Sequence, residues 1–158
     1  MDVNSSAISP PAAGIICLLD DDPSMLRALD RLLSSVGLQA QLFSEPLRFL
    51  SYVICNSVAV AVIDIWMSVM SGLEIQKKLQ AVSPKTRVII MTGNDDDSVR
   101  NAAIRAGAIA YFDKPFDDEA FLAAVHHGLA ISPTFSTRES SVTSGAATSR
   151  PGKDLDLA

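Results

Sequence analysis

The residues of this sequence best placed to do chemistry are acidic positions, a threonine and a lysine, each following a short apolar run. Asp20 and Asp21 follow Ile15–Leu19, Asp64 ends Val58-Ala-Val-Ala-Val-Ile-Asp64, Thr92 follows Arg87-Val-Ile-Ile-Met91, and Lys114 follows Ala108–Phe112 by two residues. If the runs carry these groups to one rim, three neighbouring carboxylates repel one another, and that raises a pKa unless a cation intervenes. A hard divalent ion relieves the repulsion, and Mg²⁺ is the usual choice where phosphate is handled. An ionised Asp beside Mg²⁺ and a lysine ammonium is equipped to attack a phosphoryl group, because both cations neutralise the oxygens in transfer. Thr92 can donate a hydrogen bond to the same group.

The elements that must position these residues are legible in the apolar pattern. The six apolar residues before Asp64, four of them β-branched, read as a strand buried on both faces. Ligands in an open α/β sheet bind beyond the carboxyl ends of the strands, which is where Asp64 stands. Ile15–Leu19 reads as another buried strand. Asp22 then suits a helix N-cap with Pro23 at the first helical position, Leu26, Leu29, Leu33 and Val36 recur at helical spacing, and Gly37 supplies a stop. Leu38, Ala40 and Leu42 alternate with Gln39 and Gln41, as in an edge strand. Ser44 is the expected cap of a short helix to about Val53, with Pro46 in its first turn.

Beyond Asp64, a loop to Gly72 precedes a helix from Leu73 to about Ala81, on which Glu74 and Lys78 form an i,i+4 pair. Pro84 breaks the chain before the strand Arg87–Met91. Asp95 to Asp97 suit the positive end of a helix that runs to Ala106 and stops at Gly107. A strand from Ala108 to Phe112 and a helix from about Asp117, with Phe121, Leu122, Val125 and Leu129 on its apolar face, complete the series. Strand and helix alternate five times, which implies a parallel sheet with helices on both faces and right-handed crossovers.

A chain of 158 residues that is 48% hydrophobic holds one ordinary domain. We place it at residues 14–130, between a leader over 1–13 and a polar tail over 131–158 that lacks the apolar content to fold alone. Thirteen basic against 18 acidic residues, a net charge of −5, give no electrostatic footprint for direct nucleic-acid binding. The leader lacks the basic region of a signal peptide and no run reaches membrane-spanning length, so a soluble cytoplasmic protein without membrane contact is expected. Cys17 and Cys55 have no metal or redox spacing and are expected to be buried free thiols, in keeping with a reducing compartment. His126 and His127 are expected at the surface.

With these groups in this order, the chain resembles the receiver domains of two-component response regulators over about residues 14 to 130. Through Met91-Thr-Gly-Asn94 and Asp113-Lys-Pro-Phe116 it most resembles the receivers that precede a helix-turn-helix in nitrogen-fixation-type regulators. The resemblance implies a flavodoxin-like (βα)5 doubly wound parallel sheet with strand order 2-1-3-4-5. It also implies that Asp64 is the phospho-acceptor and that Asp21 and Asp64 bind Mg²⁺, with Asp20 acting mainly through water and the Trp66 backbone carbonyl completing the protein ligands. Thr92 would be the switch hydroxyl, Lys114 the phosphate-binding lysine and Tyr111 the aromatic switch residue, with a cis bond before Pro115. A sensor histidine kinase or phosphotransfer protein would supply the phosphoryl group. The surface of the fourth helix, fifth strand and fifth helix would then shift towards binding a downstream protein or forming a phosphorylation-dependent homodimer.

The sequence departs from the family pattern at Ser68, where proline is common, and this should loosen the loop after Asp64. It departs again at Trp66, where small or polar residues are commoner, and the indole bulk would shield an acyl phosphate from water. A Mg²⁺-dependent aspartyl-nucleophile phosphatase of the haloacid-dehalogenase type would carry a second acid where Trp66 stands, so turnover as an enzyme is not expected. A flavin-binding flavodoxin-like protein would want a phosphate-cradling loop where Asp20 to Asp22 stand. A truncated receiver of a DNA-binding transcriptional regulator shares every feature with a stand-alone receiver.

Overall fold

The computed structural model describes residues 14–131; the expected leader and the tail from 132 onward lie outside the described residues. In chain order the elements are β1 (Ile15–Leu19), α1 (Pro23–Ser35), β2 (Ala40–Phe43), α2 (Pro46–Cys55), β3 (Val58–Asp64), α3 (Gly72–Val82), β4 (Arg87–Thr92), α4 (Asp97–Arg105), β5 (Ala110–Asp113) and α5 (Asp118–Ile131). The five strands pair in parallel in the order β2-β1-β3-β4-β5, the flavodoxin-like order that the resemblance implied.

Successive strand residues point to opposite faces, so the central strands feed two cores. Cys17, Leu19, Ala61, Ile63 and Ile90 pack with Phe49 of α2, Ile75 and Leu79 of α3 and Ala103 of α4. Ile16, Leu18, Val60, Val62, Ile89 and Met91 pack with Leu26, Leu29 and Leu33 of α1 and Phe121 and Val125 of α5. This is why β3 reads as an unbroken apolar run: both of its faces are covered. In the sheet register Leu19 lies beside Ile63, Asp64 beside Met91 and Thr92 beside Asp113, so the strands finish on a common rim.

Local chemistry explains most of the boundaries. Asp22 caps α1 by accepting from Ser24 N–H with Pro23 behind it, and Gly37 and Gly107 take the positive φ values of 81° and 100° that end helices. Helix α2 is capped by Glu45, not Ser44, and without a side-chain bond. Pro46 occupies the first helical position, so the cap falls on the residue before it. Glu74 closes a capping box with Ser71, each side chain meeting the other's backbone N–H, where an ion pair with Lys78 was expected. Strand β5 starts at Ala110 and not Ala108, because Ala108 N–H turns back to Ala103 O to finish α4.

Two further expectations change. Cys17 is buried, and burial pushes its thiol up to about 12, whereas Cys55, at the last position of α2, is exposed; both are free thiols. Ile131, expected to open the tail, is the last residue of α5. Among the described residues β2 pairs with β1 alone and is an edge strand as expected, and His126 and His127 are exposed. No helix among the described residues is long and apolar enough to cross a membrane.

Candidate functional site

The rim is built by the strand ends and by hydrogen bonds that extend the ladders just past them. Asp20 N–H donates to Phe43 O at 3.1 Å, Ile65 N–H to Met91 O at 2.9 Å and Lys114 N–H to Thr92 O at 2.7 Å. These bonds fix the backbone on either side of each reactive side chain. Gly72 brings the start of α3 against the same rim. A Cβ placed there would stand 2.6 Å from Asp64 O and 2.9 Å from Ile65 Cα, so only glycine lets α3 pass this close behind Asp64.

The carboxylates and the lysine come together as the sequence predicted. Lys114 Nζ lies 2.9 Å from Asp20 Oδ2 and 3.0 Å from Asp64 Oδ1. Asp20 and Asp64 are only 1% and 4% exposed, whereas Asp21 faces solvent. One carboxylate oxygen from each of Asp20, Asp21 and Asp64 falls within 4.8 Å of the others. Burial pushes the Asp64 carboxyl up to about 6; the hydrogen bond from Lys114 opposes this and the charges of Asp20 and Asp21 add to it. For Lys114, burial favours the neutral amine, but hydrogen bonds and charge from Asp20 and Asp64 outweigh it and hold the ammonium above its ordinary value.

Three carboxylates facing one ammonium leave excess negative charge, and all the convergent donors are hard oxygens. That donor set fits Mg²⁺ and would be poor for a soft metal. It also lies where a strand-end nucleophile needs electrophilic help.

Thr92 and Tyr111 make contacts that the sequence did not disclose. Thr92, fully buried, donates from Oγ1 to Asn94 O at 2.9 Å and accepts from Asn94 N–H at 3.1 Å. The Trp66 indole Nε1–H also donates to Thr92 Oγ1 at 2.9 Å. Tyr111 Oη is buried and meets no partner at full hydrogen-bond geometry, although Thr92 lies close enough to favour its phenolate. Burial holds its pKa above the usual phenol value, and Asp113 and Asp95 reinforce the shift. Arg100 was not singled out from sequence, yet it binds Asp95 at 3.3 Å and Asp113 at 3.1 Å and lies 4.9 Å from the centre of the Tyr111 ring. Asp96, in turn, caps α4 by accepting from Ser98 and Val99 N–H. No local pattern marks Arg100, because its partners lie on both sides of it in the chain and meet only in the fold.

At Ser68 the backbone N–H donates to Asp21 Oδ2 at 3.3 Å. Proline could not make this bond. The residue expected only to loosen the loop therefore also ties it to the acidic pair. The peptide bond before Pro115 is cis, as the resemblance implied.

Comparison with known proteins gives the same answer. The family model for the response regulator receiver domain matches residues 16–126. The response regulator protein TodT of Pseudomonas putida F1 is 36% identical over 121 residues, covering 77% of this chain and 53% of its own length. The transcriptional regulatory protein FixJ of Bradyrhizobium diazoefficiens is 31% identical over 116 residues, covering 73% of this chain and 57% of its own. This chain thus spans about half the length of the curated relatives it matches. The solution structure of the beryllofluoride-activated NtrC4 receiver domain dimer superposes with a TM-score of 0.72 at 24% identity, covering 75% of this chain and 98% of that one, and so supports the fold. Sequence match, strand order and rim agree: the chain belongs to the response regulator receiver domain family.

Proposed function

We propose that Asp64 accepts a phosphoryl group from a phosphohistidine of a sensor histidine kinase or phosphotransfer protein. The observation that carries this reading is the placement of Lys114 Nζ between Asp20 and Asp64, 2.9 Å and 3.0 Å from their carboxylates. Asp64 Oδ forms the new bond to phosphorus as the P–N bond of the donor imidazole breaks and the imidazole leaves. Lys114 exchanges a carboxylate contact for a phosphoryl oxygen, and Thr92 supplies a hydroxyl donor to another. Asp21, Asp64 and the Trp66 backbone carbonyl would hold Mg²⁺, with Asp20 acting mainly through water. When bound, the ion supplies charge neutralisation for the oxygens in transfer. With Trp66 in place of a second acid, the chain acts as a stoichiometric acceptor in the cytoplasm and not as a turnover phosphatase.

Phosphorylation on Asp64 then biases Thr92, Tyr111 and the α4-β5-α5 surface towards a protein partner or a second receiver. Similarity to FixJ, a transcriptional regulatory protein, favours gene regulation as the eventual output. Acetyl phosphate with Mg²⁺ should add a single phosphoryl mass to the wild type and none to Asp64→Asn. A phosphoryl adduct that persists in Asp64→Asn would overturn the assignment.

A further inference from the structure

The Trp66–Thr92 hydrogen bond occupies the hydroxyl on which the switch depends. Thr92 Oγ1 has one proton and two lone pairs. The proton goes to Asn94 O, and the lone pairs accept from Asn94 N–H and Trp66 Nε1–H. With its proton on Asn94 O, the hydroxyl can donate to a phosphoryl oxygen only by giving up that bond. The indole N–H favours the present arrangement because it fills a lone pair of the oxygen in this orientation. Trp66 is 50% exposed, so its ring has solvent beside it into which it can reorient. The contact can thus open and close without leaving a buried donor unpaired.

We propose that Trp66 is a positioning residue for the switch: its indole N–H latches Thr92 Oγ1 towards Asn94 and opposes engagement with a phosphoryl group on Asp64. This rests on the phosphoryl-accepting reading of Asp64. It concerns the N–H, not the bulk of the ring, and the two are separable because phenylalanine keeps an aromatic ring and lacks the donor.

The test is a titration of the full chain with beryllofluoride and Mg²⁺, read from the bound fluorine resonance. Trp66→Phe should bind roughly two- to tenfold more tightly than wild type, the net weight of one hydrogen bond. In a Thr92→Ala background the same substitution should change nothing. Equal or weaker binding by Trp66→Phe overturns the latch, as does an equal gain in the Thr92→Ala background. Because Trp66 is the sole tryptophan, its indole N–H resonance in the wild-type protein gives a check that needs no variant. The resonance should move towards that of a water-exposed indole on saturation, and an unmoved signal overturns the proposal. Wild type that takes up no beryllofluoride, like Asp64→Asn, overturns the phosphoryl-accepting reading together with the latch; wild type that binds while Trp66→Phe gains nothing overturns the latch alone.

Discussion

The ammonium of Lys114 stands 3.0 Å from the carboxylate of Asp64, although the two are fifty positions apart in the chain. Their contact is the electrostatic hinge of the site. Lys114→Met would leave Asp20 and Asp64 facing each other without a counter-charge and remove a donor to the group in transfer. Phosphorylation of Asp64 by acetyl phosphate should fall on the order of a hundredfold, the usual cost of losing one such donor. Measuring the rate of phosphoprotein formation by mass checks this; a rate within a factor of two of wild type would contradict the role.

The raised pKa of Asp64 has a sign that stability can read. With its folded value at about 6, against 3.8 for a free aspartate side chain, the native state keeps a proton over this interval that the unfolded chain has lost. In chelator, the contribution of Asp64 to stability therefore falls as pH rises from about 4 to about 6, by up to about 3 kcal/mol. Asp64→Asn removes this dependence and should be the more stable protein at pH 7. Urea unfolding of both proteins at pH 4.5 and pH 7 measures the difference.

Mg²⁺ should reverse that destabilisation. An ion that binds only the native site at about a hundred times its dissociation constant adds about 2.7 kcal/mol. The gain should be present at pH 7, shrink below about pH 6 as Asp64 takes up its proton, and be largely absent in Asp64→Asn. Thermal melts with Mg²⁺ and with chelator decide the matter.

Gly72→Ala tests the close passage of α3 behind the rim. The new methyl would meet backbone atoms of Asp64 and Ile65, which cannot rotate away as a side chain could. A loss of about 1–3 kcal/mol is expected, as for other overpacked sites. The phosphorylation rate should fall as well, because the displaced atoms belong to the residue that carries the nucleophile.

The bulk of Trp66 gives a separate expectation from its N–H. Half of the indole is exposed beside the Asp64 loop, where it can restrict the approach of water. Trp66→Asn should shorten the lifetime of Asp64 phosphate by several-fold, measured by loss of phosphoryl mass after removal of the donor. An unchanged rate would show that the ring shields nothing.

What the sequence alone determined is what depends on near neighbours. The apolar runs before Asp20, Asp64 and Thr92 announce buried strands because both sheet faces are covered, and Asp22-Pro23 announces a helix start because its groups act within one turn. At α3 the sequence reading takes Glu74 as the partner of Lys78 and misses the capping box that Glu74 forms with Ser71. The acid-lysine constellation could be inferred because topology delivers every strand end to one rim.

Tertiary structure decided the contacts whose partners are remote and unpatterned. Ser68 meets Asp21 across 47 residues, Trp66 meets Thr92 across 26, and Arg100 gathers Asp95, Asp113 and the Tyr111 ring. These depend on loop paths and side-chain directions at the strand ends, for which hydrophobic periodicity carries no information. The reactive groups are thus written in the sequence, while the restraints on their movement arise only when the loops are folded over them.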